Sequence, residues 1–362
     1  MTDEALMRCA IALAERGAGW VSPNPLVGAV VVKNGHIIGE GWHERCGGLH
    51  AERNALAACT EDSAGGTIYV TLEPCCHHGR TPPCTEAIIA AGLSRVVYGS
   101  FDPNPQVSGK GAMQLRQAGI TVEGGFLQQE CDALNPVFFH YITHKTPFVS
   151  LKYAMTADGK IACYTGESKW VTGEAARDYV QQLRHQHRGI LAGIGTVLAD
   201  DPLLTCRMEG GRNPVRIICD SKLRIPMNCQ LCKTAQHIPL IIATACENPE
   251  KTAALQRCGA KVWYLPGQDG KVDLVGLMQR LGECEIDSVL AEGGGTLHEA
   301  LLSAGLWQRV YAFVAPKIFG GQDAKTPVEG MGVASPKQAY RLKLMDIQHF
   351  GCDLLLTYDR EG

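Results

Sequence analysis

The sequence predicts an α/β protein of two domains, on three observations. Its 362 residues are enough for two separate cores. Short apolar strands alternate with amphipathic helices along the chain. Near residues 144–147 a polar stretch ending in proline, "THKTP", divides one such series from the next. The expected domains are residues 1–146 and 147–362.

The elements follow in order. Apolar spacing over residues 5–13 predicts a helix. "VGAVVVKNGHIIGEGW" reads as two strands around an Asn34-Gly35 turn, because an Asn-Gly pair accepts positive φ at both turn positions. Residues 50–59 read as a helix, "TIYVTL" as a buried strand and "TEAIIAAG" as a helix closed by Gly92. Strand "RVVYGS", loop "FDPNPQVSGKG", helix "AMQLRQAG" and strand "ITVEGG" come next, then a helix-rich stretch over 127–143. Beyond the boundary the apolar segments are "FVSLKYAMTADGKIA", "RGILAGIGTVL", "PVRIICD", "PLIIAT", "KVWYLP", "DSVLAEGGG" and "RVYAFVAP".

With 45% hydrophobic and 20% charged residues the chain reads as globular, not disordered. A net charge of −3, no basic cluster and 6% aromatic residues argue against nucleic acid as partner. No apolar run approaches the ~20 residues a membrane helix needs. The N-terminus "MTDEALMRCAIALAERG" is amphipathic rather than a leader, and the sixteen cysteines are scattered. A reducing cytoplasm with free thiols is the expected setting.

Two short stretches concentrate chemistry. "HAE" places His50 two residues ahead of Glu52, and "LEPCCHHGRTPPC" crowds cysteines and histidines into thirteen positions. His50, Cys75 and Cys84 supply a neutral imidazole and two thiolates, the donor set of a zinc site that keeps its fourth corner for water. Two thiolates cancel the charge of the dication, and Glu52 is placed to move that water's protons. Cys84 is expected in the first turn of a helix, where the dipole favours thiolate. A closed structural zinc site or buried thiols are the alternatives, but neither needs Glu52 beside His50. Cys76 reads as a bystander, since adjacent cysteines rarely reach one ion together. Asn24, stiffened between prolines, can read a heterocycle's amide edge or simply make a turn. His43 can contact substrate or cap the sheet.

In the second domain "AEGGGTLHEALL" reads as a strand, a glycine turn and a helix from about Thr296, where free amides suit a pyrophosphate. It is not the G-x-G-x-x-G of a doubly wound fold. "GIGTVLADDPLLTCR" adds a second glycine turn with Thr196, Asp200 and Arg207; its acidic residues can instead cap a helix. Arg184 and Arg207 suit phosphate clamping or are surface arginines. "DSKLR" with Ser221 favours a 2′-phosphate, while Asp220 leans toward a ribose hydroxyl.

H-x-E followed by P-C…C is the zinc-deaminase pattern. Here eight residues, not two, separate the cysteines, and the insert carries His77, His78 and Arg80. With "DPNPQVSGKG", this resembles the bifunctional riboflavin-biosynthesis deaminase/reductase family, whose own spacing is the longer one. The resemblance covers nearly the whole chain. It implies a cytidine-deaminase-like three-layer domain and a dihydrofolate-reductase-like domain, with Zn2+ and NADPH as cofactors. It implies deamination of 2,5-diamino-6-(5-phosphoribosylamino)pyrimidin-4(3H)-one, with Glu52 as acid/base, then reduction of the ribosyl chain to ribityl. Asn24, His43, Arg80, Asp102 and Asn104 match its positions for the deaminase substrate. Ala154, Trp170, Thr196, Asp200, Ser221 and Gly294, Gly295, Thr296, Leu297, His298, Glu299 and Ala300 match cofactor positions. Lys152, Ser168, Arg184, Leu204, Arg207 and Glu292 match the reductase substrate's. The implied partners are a small phosphoribosyl-pyrimidine and further copies of the chain in a homo-oligomer.

Overall fold

Asn34 (φ 51°) and Gly35 (φ 82°) turn the chain back on itself in the left-handed region that this pair tolerates. In the computed structural model, which describes residues 1–78, 82–104 and 108–361, they join two neighbouring strands. The first compact unit is Met1–Lys145. Its elements are α1 (Asp3–Glu15), β1 (Gly28–Lys33), β2 (His36–Trp42), α2 (Ala51–Ala57), β3 (Thr67–Leu72) and α3 (Cys84–Ala90). They continue with β4 (Arg95–Ser100), α4 (Lys110–Gln117), β5 (Thr121–Gly124), α5 (Gln128–Asp132) and α6 (Pro136–His144).

The sheet order is β2-β1-β3-β4-β5, with β1 antiparallel to both neighbours and β3, β4 and β5 parallel. Strand β1 reads "GAVVVK" because both faces are covered. Ala29 and Val31 point into one core with Ala51 and Ala55 of α2, Ile88 of α3 and Leu115 of α4. Val30 and Val32 point into the other, against Leu6, Met7, Ala10 and Leu13 of α1. Each fully buried valine contributes about 1.5–3 kcal/mol of transfer free energy. Helices therefore lie on both sides of the sheet, giving three layers.

The second compact unit is Thr146–Gly362. It holds β6 (Phe148–Thr156), α7 (Glu174–Gln186), β7 (Gly189–Gly193), α8 (Ile194–Asp200), β8 (Val215–Cys219), α9 (Gln230–Lys233) and β9 (Leu240–Thr244). Next come α10 (Pro249–Arg257), β10 (Lys261–Tyr264), α11 (Leu274–Glu283), β11 (Ser288–Ala291) and α12 (Gly295–Ser303). The last strands are β12 (Arg309–Ala315), β13 (Leu342–Phe350) and β14 (Asp353–Arg360). The order β10-β9-β8-β7-β11-β6-β12-β14-β13 is parallel from β10 to β12 and ends in an antiparallel hairpin. The first strand of the unit lies inside the sheet between β11 and β12, which is not a doubly wound order. The β13–β14 hairpin is not among the strands expected from the sequence. A bulge between Leu344 and Asp346 interrupts the alternation by which a strand is recognised.

Candidate active site and cofactor cradle

Two of the candidate metal ligands, His50 and Cys84, sit at helix starts, and Cys75 lies in the loop between β3 and α3. His50 is the N-cap of α2 and Glu52 lies in its first turn. Helix α2 lies directly on β2: a β-carbon on Gly41 would collide with the backbone of Ala51 and Ala55, and one on Gly39 with the Ala55 carbonyl. Cys84 opens α3, fully buried, with its N–H donating to Cys75 Sγ at 3.4 Å. Arg53 of α2 donates to the carbonyls of Pro82 and Pro83 at 3.1 and 2.8 Å, tying the approach to Cys84 onto α2.

His50 Nδ1 is 3.5 Å from Cys75 Sγ and 3.4 Å from Cys84 Sγ, and the three ligand atoms lie within 4.8 Å of one another. Zn–S bonds of about 2.3 Å and Zn–N bonds of about 2.0–2.1 Å give tetrahedron edges of roughly 3.5 Å. One imidazole and two sulfurs at these spacings fit a zinc ion, and Cys76 is not among them. Glu52 is 3% exposed, and burial pushes its carboxyl up to about 6.

Asn24 and His43 are joined. His43 is 2% exposed, with Nδ1 2.9 Å from the Leu49 carbonyl and Nε2 3.1 Å from Asn24 Nδ2. A carbonyl only accepts, so Nδ1 carries the proton and Nε2 of the neutral ring accepts from the Asn24 amide. Burial lowers the His43 pKa and keeps this state. The tautomer leaves the Asn24 carbonyl oxygen as the acceptor for a ring N–H or amino group. His43 thus acts on Asn24 rather than capping the sheet, and its ring meets that of His50 edge-on at 5.4 Å.

Asp102 is 7% exposed, accepts the Asn104 N–H at 2.8 Å and is raised to about 6 by burial. Glu73, absent from the sequence reading, is 3% exposed and accepts from the N–H groups of Gly109 and Ala112 at the start of α4. Its place beside "PCC" was the only hint. His78 pairs at 3.2 Å with Glu86. Arg80 lies outside the described residues.

In the second unit Arg184 does not stand open as a phosphate clamp. Its Nε and Nη2 donate to the two oxygens of Glu292 at 2.7 and 2.9 Å, and its Nη1 to the Thr205 carbonyl at 2.9 Å. Lys152 Nζ is 3.6 Å from Glu292. Burial works against ionisation of Glu292, but Arg184 and Lys152 outweigh it and hold the carboxyl at about 2. Arg207 is exposed, and its backbone N–H donates to Gln181 Oε1. Leu204 is buried at a positive φ of 52°, and Ser168 is half-buried.

Gly193 and Gly294 are the N-caps of α8 and α12. A β-carbon on Gly193, Gly195 or Gly294 would meet nothing, so backbone borders open space at both helix starts, the cradle a dinucleotide phosphate needs. Thr196 is half-buried and Asp200 exposed. The neighbouring Asp201 accepts the Gln230 N–H of α9, so that acidic residue serves as a helix cap. Trp170 is 59% exposed, with the Arg177 guanidinium 4.6 Å from its ring centre. Ala154 is half-buried. Thr296 bonds Glu329, Glu299 accepts from Ser303, and Ser221 Oγ accepts the Val272 N–H. Leu297 and His298 are buried and Ala300 half-buried; the His298 ring lies between the carbonyls of Pro327 and Ala291. Those two side chains are core, leaving only their backbone to a ligand. Asp220 is fully buried with one oxygen on the Ile225 N–H, which removes it as a surface reader of a ribose.

Residues 1–100 match the profile of the cytidine and deoxycytidylate deaminase zinc-binding region, and residues 147–356 that of the RibD C-terminal domain. Fold and site define a class: a zinc hydrolase of the deaminase type joined to an NADPH-using oxidoreductase. The chain is 54% identical over 358 residues to the riboflavin biosynthesis protein RibD of Actinobacillus pleuropneumoniae, covering 99% of this chain and 95% of that one. It superposes on Acinetobacter baumannii RibD with a TM-score of 0.88 at 36% identity, covering 99% of each chain. A Thermotoga maritima diaminohydroxyphosphoribosylaminopyrimidine deaminase/5-amino-6-(5-phosphoribosylamino)uracil reductase gives 0.87 at 38%, covering 99% and 98%. The chain belongs to the RibD family of riboflavin-biosynthesis deaminase/reductases.

Proposed function

We propose that residues 1–146 carry the deamination and residues 147–362 the reduction, in that order, on 2,5-diamino-6-(5-phosphoribosylamino)pyrimidin-4(3H)-one. The observation that supports this most is the convergence of His50, Cys75 and Cys84 beside the buried Glu52. Those three residues would hold zinc, which would supply a Lewis acid that lowers the pKa of a water. Glu52 takes a proton from the attacking water and returns it to the ring nitrogen and the departing ammonia. The Asn24 carbonyl, oriented through His43, receives an N–H of the base. Asp102, Asn104 and Arg80 take the ribose phosphate end.

In the reductase, bound NADPH would supply the hydride for reduction of the ribosyl C1′ to ribityl. The glycine-bordered starts of α8 and α12 (with Thr196, Asp200 and Gly294 to Ala300), together with Ala154, Trp170 and Ser221, hold the cofactor. Lys152, Ser168, Arg184, Leu204 and Glu292 bind the ribosyl chain, and the exposed Arg207 takes its phosphate. All sixteen cysteines are free, which suits a cytoplasmic enzyme, and no helix among the described residues is long and apolar enough to cross a membrane. A homo-oligomer is favoured by the edge strand β13. Its bulge puts Leu342, Leu344 and Ile347 on the face shared with Leu356 and Tyr358, yet they stay 40%, 49% and 49% exposed.

The order is tested with Glu52→Gln protein. Deamination exchanges an amino donor for a carbonyl acceptor, so a pocket fitted to the product leaves polar groups unpaired against the precursor. The variant should consume almost no NADPH with the diamino compound and should oxidise it normally with the deaminated one. Robust consumption with the precursor overturns the order.

A further inference from the structure

Strand β3 ends at Leu72, Glu73 comes next, and Cys75 lies two residues further on. Glu73 therefore stands between the sheet and a candidate metal ligand. Its backbone N–H donates to the Ser100 carbonyl at 3.0 Å, where β4 ends. Its side chain is buried at 3% exposure, and a carboxylate so placed needs donors. Oε2 accepts the Gly109 N–H at 3.0 Å, and Oε1 accepts the Ala112 N–H at 3.3 Å.

Those partners bracket one loop. The segment carrying Asp102 and Asn104 leaves the sheet at Ser100 and enters α4 after Gly109. Glu73 thus holds the departure with its main chain and the return with its side chain. Within the bracket, Asp102 accepts the Asn104 N–H at 2.8 Å, and the Asn104 carbonyl accepts the Ser108 N–H at 2.9 Å. Gly109 is the N-cap of α4 and offers no side-chain hydrogen bond. A local Asp, Asn or Ser is the usual way to cap a helix. Taking the acceptor from Glu73, 36 residues back, instead fixes where α4 begins relative to β3. The approach is close: a β-carbon on Gly111 would lie 2.1 Å from the Pro74 carbonyl oxygen, in the peptide leading to Cys75.

We propose that Glu73 is a positioning residue for the deaminase substrate. It holds Asp102 and Asn104 in register with Cys75, so that the ribose phosphate end and the ring are seated together. This rests on the reading that Asp102 and Asn104 take the ribose phosphate end. In Glu73→Gln the side chain keeps its size but turns an NH2 toward one of the two backbone donors, which is left unpaired. The start of α4 then loses its fixed place, and a misplacement of about 1 Å can weaken productive binding by an order of magnitude or more.

Kinetics of the zinc-replete full chain test this, with ammonia release as the readout. Glu73→Gln should raise KM for the phosphoribosyl substrate about ten-fold, with kcat within about two-fold and zinc content kept. The same pyrimidine with a plain amino group in place of its phosphoribosylamino group serves as a competitive inhibitor, and its inhibition constant should stay put. Equal weakening of both, or loss of zinc with KM unchanged, marks a merely structural residue and overturns the proposal. Asn104→Ala separates the two readings. An unchanged KM there overturns the role given to the loop, whereas a rise there without one in Glu73→Gln overturns the role of Glu73. Should Glu73→Gln not fold, Gly109→Ala moves the same joint more gently, because at φ 73° the added carbon is strained yet meets no atom. It should show the same split at about three-fold, and an unchanged KM in that variant overturns the proposal as well.

Discussion

Arg184 grips Glu292 with both arms across 108 residues of sequence, at 2.7 and 2.9 Å. With side chains only 12% and 9% exposed, the pair is a buried one whose halves depend on each other. Glu292→Gln strands the charges of Arg184 and Lys152 and should cost about 3–5 kcal/mol, the range for breaking a buried pair. Denaturant unfolding of the second unit measures this, with ammonia release as the control that should persist. An unchanged unfolding midpoint would show that the pair adds nothing to stability.

Glu52→Gln keeps the shape and hydrogen-bonding reach of the side chain but cannot carry the proton. Ammonia release should fall by about 10²–10⁴ with zinc content unchanged. Near-normal release by a zinc-replete variant would remove Glu52 from the mechanism.

Replacing a thiolate by a neutral hydroxyl weakens zinc binding. Cys75→Ser and Cys84→Ser should lose most of the metal, and Cys76→Ser should retain it. Metal analysis decides the assignment, which reverses if Cys76→Ser empties the site while Cys75→Ser does not.

Gly294 sits at φ −75° with no atom near the β-carbon it lacks. Gly294→Ala should therefore leave the melting temperature unaltered while raising the NADPH dissociation constant about ten-fold, because the methyl occupies the phosphate's approach. Equal NADPH affinity, measured by fluorescence titration, would place the cofactor elsewhere.

His187 is fully buried in its hydrogen bonds to Leu183 and Ser150, and burial lowers its pKa to about 4. An unfolded histidine titrates near 6.5. Between those values the unfolded chain binds the extra proton, so stability is complete above pH 6.5 and declines on acidification toward pH 4. The loss is on the order of 3 kcal/mol. Comparing denaturant unfolding at neutral and acidic pH in wild type and His187→Gln tests this; identical pH slopes would sink it.

The candidate zinc ligands were legible because His50 and Glu52 share one helix turn and the cysteines follow prolines, so short-range spacing carries the chemistry. The strands of both units were legible where apolar runs are unbroken. What escaped depends on long-range pairing. Glu73 reaches Gly109 and Ala112, His43 sets Asn24, and Arg184 meets Glu292, and no local pattern encodes such partners. His298 differs: the resemblance places it at a cofactor position, and the helix turns its ring into the core, so that only its backbone faces a ligand.

The seating of α2 on Gly39 and Gly41 has a kinetic consequence. A seven-residue helix would fray freely by itself, but here its backbone is pressed onto β2, the edge strand that the β1–β2 turn holds in the sheet. His50 and Glu52 then have no partial opening of their own. Their amides should exchange with deuterium only when β2 comes away from β1, and a chelator should strip the metal at that same rate. How long the ion stays is in that case a property of the β1–β2 hairpin as much as of the bonds that hold it.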